Sequence, residues 1–238
     1  MPSRRCLEGT VRPIRSPHTK YQMREMSEYN QQQRDAILMV RQYLFHLPAA
    51  KLCWLKQRIK SYMQFRKAVR SFQEQHFSDI CSKKCFTSRT SACCGREGII
   101  TFFADVVINV LLSTNGQIDT LLETLERDPG GFNCVYLNES GCLWLWKPIV
   151  CEMFLCDVAK KSVLAKSESL TSQWSALRRR ERMYTWPTRP VLFDELEGFF
   201  LDGGFDSPLM YLHKSPGLLR LKAKHGLVRR QALKVSRV

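Results

Sequence analysis

The chain has no Cys-x2-Cys pair. A thioredoxin-like redox motif and a conventional zinc ribbon both need that spacing, so both are excluded. Cys81-x3-Cys85 opens as a radical-SAM motif would, but Ser88 stands where the third cysteine belongs. None of the five histidines is placed to complete a Cys2His2 finger. No glycine-rich dinucleotide fingerprint, phosphate loop or nucleophile elbow occurs. Internal repeats and low-complexity tracts are missing as well. Long apolar runs are also lacking: the longest, Ile99 to Leu112, is interrupted by Asp105. It is shorter than the roughly 20 residues that a bilayer span takes. Arg4, Arg5, Arg12 and Arg15 are not followed by an apolar stretch of signal-peptide type. The expectation is a cytoplasmic chain whose thiols stay reduced.

Acidic residues are absent from positions 214–238, which hold eight basic ones. Residues 1–70 carry 15 basic and 4 acidic side chains, whereas residues 71–213 carry 14 and 18. The net charge of +15 therefore sits on the flanks. Such flanks can contact a polyanion without specificity. Solvated helix faces and a frayed tail are the simpler account of the same charge.

What the chain does have is ten cysteines, eight of them in two tight blocks. The first is Cys81, Cys85, Cys93 and Cys94; the second is Cys134, Cys142, Cys151 and Cys156. Cys6 and Cys53 stand apart and receive no role. The chain is 44% hydrophobic, with 13 Phe and 5 Trp, so it can build a core without cross-links. In a reducing compartment, ligation of a metal is then expected over disulfides. The thiolate is the ligand form, and Cys93-Cys94 precede a helix expected from Ile99 whose N-terminal partial charge favours thiolates. Lys83, Lys84, Arg96 and Lys147 lie close in sequence and would offset the negative charge of a metal–thiolate centre. Adjacent cysteines in an extended segment point opposite ways. Cys93 and Cys94 should therefore serve different ions or different corners of a cluster, unless one is a packed thiol. Eight thiolates suit two zinc sites, one four-iron cluster with spare cysteines, or two clusters, so zinc and iron–sulfur both stay open.

The predicted fold class is a mainly helical single domain with a small β-hairpin, organised around the cysteine-rich centre. Residues 1–25 read as a disordered basic tail and 26–78 as amphipathic helices. Residues 79–158 form the cysteine-cluster region, 159–213 further helices on the same core, and 214–238 a basic tail. Ser27 is the expected N-cap of a first helix carrying Ile37, Val40, Tyr43 and Leu44. Pro48 ends it and opens a second, Ala49 to Gln75, with Leu52, Leu55, Ile59, Tyr62 and Met63 on one face. Lys51, Lys56, Arg58, Lys60, Arg66, Lys67 and Arg70 are placed largely off that face. A helix over 99–112, a turn at Asn115-Gly116, and a helix with Ile118, Leu121, Leu122 and Leu125 follow. Asp128-Pro129-Gly130-Gly131 stops it. Cys134 to Leu137 and Cys142 to Trp146 read as paired strands. A four-residue loop pairs Leu137 with Cys142 and puts Cys134 and Cys142 on opposite faces; a three- or five-residue loop puts them on one face. Helices are expected over 160–182 and 190–201, with breaks at Gly203-Gly204 and Ser215-Pro216-Gly217.

Among other candidates, His76 is expected at the surface rather than on a metal, and His213 and His225 are expected to be exposed. Asp105 is expected on a helix surface; if buried, it needs a partner such as Arg96 or Lys147. One of the pairs Trp144/Trp146 and Leu143/Leu145 should line the metal site. Arg178-Arg179-Arg180 and Arg182 read as a solvated helix face. Trp186 to Asp194 reads as an anchored turn into a helix.

The second block carries a more specific pattern. Cys134-Val135-Tyr136-Leu137 is followed by Gly141-Cys142-Leu143-Trp144. Then comes Lys147-Pro148-Ile149-Val150-Cys151-Glu152-Met153-Phe154-Leu155-Cys156. Together with Cys81-x3-Cys85-x7-Cys93-Cys94, this resembles the YkgJ-like cysteine-cluster family, the zinc- or iron-chelating CxxCxxCC domain. The resemblance spans residues 79–158. The first block departs from it, with gaps of three and seven where the family has two. Lys147 replaces a usual Arg, and Glu152 stands where Arg is common. The resemblance implies a zinc or iron–sulfur centre and no agreed catalytic role. Relatives similar to flagellin lysine methylases are enzymes. The expected function is a cytoplasmic metal-binding protein with a structural, redox or metal-handling centre. An iron–sulfur-dependent oxidoreductase or methylase-like enzyme, and a polyanion-binding module, are the alternatives.

Overall fold

The computed structural model describes residues 26–80, 100–127, 134–138 and 141–227. The first cysteine block, Cys81, Cys85, Cys93 and Cys94, lies outside the described residues, as do the Asp128–Gly131 stop and both chain ends. The described residues are mainly helical and share one hydrophobic core running from Ala36 to Leu212.

Helix α1, Glu28–His46, begins as the sequence predicts, with the Ser27 hydroxyl accepting from the Asn30 N–H at 3.2 Å. Its buried stripe is Asn30, Gln33, Ile37, Val40 and Leu44, and it packs on α4 and α5. The expected second helix is two: α2, Ala49–Arg58, and α3, Lys60–Ser78, with a kink at Ile59. Met63 N–H still reaches the Ile59 carbonyl at 2.9 Å, so backbone hydrogen bonding continues across the break. Helix α4, Phe103–Leu112, starts four positions later than expected. Residues 113–114 make the next turn, and Thr114 caps α5, Asn115–Arg127, in a reciprocal box with Gln117. Asn115-Gly116 therefore opens the helix rather than forming the turn.

The only β pairing among the described residues is two residues deep. Strand β1, Leu137–Asn138, runs antiparallel to β2, Gly141–Cys142, with Leu137 opposite Cys142. The longer predicted strands do not form. The Leu137 N–H turns back to the Cys134 carbonyl at 3.0 Å, which takes Cys134 out of extended geometry. After Cys142, only Leu143 N–H to Tyr136 carbonyl, at 2.9 Å, continues the contact.

Short helices α6, Ile149–Glu152, and α7, Asp157–Ser162, follow, then a 3-10 turn at Leu164–Lys166. The predicted single helix over 160–182 is thus broken. Ser167 caps a new helix, α8, Glu168–Thr185, by accepting from Leu170 N–H at 3.3 Å. Arg178, Arg179, Arg180 and Arg182 are exposed on α8, as predicted. Helix α9, Leu192–Asp202, packs on α4, α8 and α10. It ends at Gly203-Gly204: a Cβ on Gly203 would meet the Tyr43 hydroxyl at 2.7 Å, and Gly204 has φ +81. Helices α10, Tyr211–Lys214, and α11, Pro216–Lys224, complete the described chain. Pro216 occupies the first turn of α11, so only Ser215 is a break. Residues 216–224, assigned by sequence to a basic tail, are this helix, and its Lys222 is buried against Asp194 and the Leu212 carbonyl. No described helix is long and apolar enough to cross a membrane.

Candidate functional site

The segment from Leu145 to Met153 joins two cysteines of the second block and has little regular structure of its own. Side chains from three helices hold its backbone. From α3, Arg70 donates to the Leu145 carbonyl at 2.8 Å, Arg66 to the Lys147 carbonyl, and Gln73 to the Glu152 carbonyl. From α4, Asn109 donates to the Trp146 carbonyl at 2.8 Å and accepts from the Trp146 N–H at 2.9 Å. Asp105 accepts from the Ile149 N–H at 3.1 Å, and Arg178 of α8 donates to the Met153 carbonyl at 3.2 Å. A loop satisfied in this way can lie against the core without orphaned backbone groups.

Beneath the segment lies a buried charge cluster that the sequence did not reveal. Arg66, assigned to the outer face, is 1% exposed. Its guanidinium pairs with Glu152, donates to the Tyr62 hydroxyl at 2.8 Å, and lies 3.9 Å from Asp105. Asp105 is likewise 1% exposed, not on a helix surface. Among the described residues its ionic partner is Arg66, from a helix 39 positions earlier in sequence, rather than Lys147; Arg96 lies outside the described residues. Burial pushes the Asp105 carboxyl up to about 7, while Arg66 and the Ile149 and Phe102 N–H groups pull it back. For Arg66, burial works against the charge, but Tyr62, Glu152 and Asp105 outweigh it and raise its pKa. Arg70 also covers the Trp146 ring at 4.0 Å.

Three cysteines of the second block have their sulfurs met by backbone N–H groups. Cys134 receives Tyr136 N–H and Leu137 N–H, and Cys142 receives Trp144 N–H. Cys156 caps α7, accepting from Ala159 N–H at 3.5 Å. Burial pushes the Cys134 thiol up to about 11; its N–H donors lower it, and nearby Cys142 raises it. Burial also raises Cys142, against Trp144 N–H and Lys147. The register puts Leu137 opposite Cys142, the arrangement that would separate the two thiols on a regular ladder. The turn at Cys134 departs from that ladder.

Tyr29 and Tyr136 line the same place. Tyr29 is pushed up by burial, and Cys134 and Cys151 add to the effect. Tyr136, 1% exposed, feels Tyr29, Cys134 and Cys142 and packs edge-on against Trp144 at 5.2 Å. Among the described residues, Tyr29 Oη, Thr101 Oγ1 and Trp144 Nε1 are buried without a geometrically good hydrogen-bond partner. Among the described residues, no three Cys, His, Asp or Glu side chains are placed to hold a metal ion. The second block alone therefore does not form a closed ligand set.

The histidines fall elsewhere. His76 packs edge-on against Phe72 at 4.8 Å. His213 is not a free surface residue: Nδ1 faces Glu197 at 2.8 Å and Nε2 faces Asp194 at 3.3 Å. Lys222 joins Asp194 at 2.7 Å, tying α11 to α9. Trp186 is 44% exposed beneath Arg182, so it does not anchor the turn before α9. Cys53, on α2, lies away from this network in sequence and is half-buried.

The chain matches no family model, no curated protein and no solved structure.

Proposed function

We propose that this is a cytoplasmic metal-binding protein whose zinc or iron–sulfur centre draws thiolates from both cysteine blocks. The observation that carries the reading is the set of backbone N–H groups directed at the sulfurs of Cys134, Cys142 and Cys156. At Cys134 and Cys142 such donors favour the ionised sulfur, the form that binds metal, against the burial that raises both thiols. The buried Trp144 indole N–H, two residues from Cys142 and without a partner among the described residues, supports it too, because a buried N–H calls for an acceptor. Cys134, Cys142, Cys151 and Cys156 would serve as ligands together with Cys81, Cys85, Cys93 and Cys94. The metal would supply the positive charge that lets buried thiols lose their protons. Eight thiols are enough to close every coordination position, so the centre is read as structural, redox or metal-handling rather than as an open catalytic site.

Purification without oxygen, followed by iron, sulfide and zinc analysis, tests this. Brown protein with matched iron and sulfide selects the cluster, and colourless protein with zinc selects the other centre. Metal-free protein whose cysteines all react as reduced thiols contradicts the proposal.

A further inference from the structure

The C-terminal half of α8 carries Arg178-Arg179-Arg180-Glu181-Arg182-Met183, and Trp186 follows its last turn. Steps of three and four place Arg179, Arg182, Met183 and Trp186 on one face. All four are exposed, Met183 at 55% and Trp186 at 44%. The Arg182 guanidinium lies over the Trp186 ring, 5.5 Å from its centroid. Arg180 turns towards α3, over the Phe65 ring at 5.5 Å, and the Tyr184 hydroxyl meets that of Ser61 at 3.0 Å. That contact brings the first turn of α3, with its exposed Lys60, to the end of α8. The start of α9 joins them, since Tyr62 packs edge-on against both Tyr184 and Phe193.

The carboxylates of this corner are already taken. Glu181 pairs with Arg178 at 3.4 Å, Glu195 with Arg58, and Asp194 with Lys222. In contrast, Lys60, Arg179, Arg180, Arg182 and Arg189 make no ion pair among the described residues. Excess positive charge and exposed aromatic surface therefore meet on one face, and the partner that complements it is anionic and planar. We propose that this face of α8 binds single-stranded nucleic acid, with the arginines on backbone phosphates and an unpaired base stacked on Trp186. Four of the five unpaired cations are arginines, whose planar forks match phosphate oxygens. An aromatic platform among cations is what a single strand needs, because every unpaired base has a face to stack. A duplex keeps its base faces stacked within itself and offers none to Trp186. A membrane surface calls for a continuous apolar stripe. Here two arginines interrupt the face, and Ser169, Ser172 and Gln173, earlier on α8, are exposed. The proposal does not depend on the metal-binding reading.

The test is fluorescence anisotropy of a labelled oligouridylate of about 12 nucleotides, titrated with the full chain at a series of salt concentrations. The parent should bind, with affinity that falls as salt rises. The double variant Arg179→Ala, Arg182→Ala should flatten the plot of log affinity against log salt by about 1.4, the loss of two single-strand phosphate contacts. Trp186→Leu should weaken binding about 5–150-fold at a nearly unchanged slope, and Trp186→Phe, which keeps a ring, should lose less. All these side chains are exposed, so unfolding midpoints should stay at the parent value. Removing the same charge from α2, by Lys51→Ala with Lys56→Ala, should weaken binding less than the arginine pair does. A parent that does not bind the oligonucleotide overturns the proposal, as does full affinity in Trp186→Leu or an equal loss from the two charge pairs. Equal or tighter binding to a duplex, to phosphatidylserine vesicles or to polyglutamate also overturns it, and gives the face to that partner instead.

Discussion

At Asp105, burial and pairing pull in opposite directions. The carboxyl is within reach of Arg66 and accepts two backbone N–H groups, yet burial raises it from an ordinary carboxylate value to about 7. In the unfolded chain it ionises near pH 4. Between about pH 4 and 7 the folded state therefore holds a proton that the unfolded state has lost. Its contribution to stability is fully present below pH 4 and falls as pH rises to 7. Glu197 and Glu181 are also raised by burial and add to the same trend, so the wild-type curve alone does not isolate Asp105. Asp105→Asn should flatten that part of the pH–stability curve, measured by urea unfolding at a series of pH values. Parallel wild-type and variant curves across that window would contradict the assignment. Nothing in the sequence around Asp105 announces this setting. Its partner is far away in sequence, and an acidic residue three positions into a helix is as readily a surface group as a buried one.

Helices α3 and α4 act as the frame for the cysteine-bearing segment. Arg66 serves two purposes there: it neutralises Glu152, beside Cys151, and it holds the Lys147 carbonyl. Arg66→Met keeps apolar bulk but leaves the buried Glu152 and Asp105 without the cation that pairs with them among the described residues. The expected loss is about 3–5 kcal/mol in urea unfolding; a loss below about 1 kcal/mol would contradict the frame. The regular parts of these elements were legible in sequence. Ser27 marked the start of α1, and Ile118, Leu121 and Leu125 marked the face of α5. Extending the α1 stripe back from Ile37 by helical steps reaches Gln33 and Asn30, so the buried polar end of that helix was there to be read. The kink at Ile59 was not, since no proline or glycine signals it. Arg66 was misplaced because periodicity sorts residues by polarity, and a paired arginine on the inner face breaks the rule it uses. The hairpin was over-extended for a related reason. Alternation over Cys134 to Leu137 suits a strand, but the turn closed by the Cys134 carbonyl won locally.

Across the described molecule, basic residues of 26–70 and 214–227 are tied into the fold. Arg34 pairs with Glu126, Arg41 with Asp119, Arg58 with Glu195 and Lys222 with Asp194. These four cations from the two basic parts thus pair with carboxylates of the more acidic middle. Helices α1 to α3 carry core residues from Ala36 to Phe77, so they belong to the domain's interior as much as to its surface. What this architecture has in common with the cysteine pattern is a single purpose for the middle of the chain: a poorly regular, thiol-bearing segment is pinned from beneath by Arg66, Arg70, Asp105 and Asn109. Sulfur-edge geometry around a bound metal is therefore the central claim. X-ray absorption at the metal edge of protein isolated without oxygen tests it most directly. The account predicts a first shell of sulfur at about 2.3 Å, with four sulfurs per metal. A shell made only of oxygen or nitrogen, or a protein without metal, would contradict it.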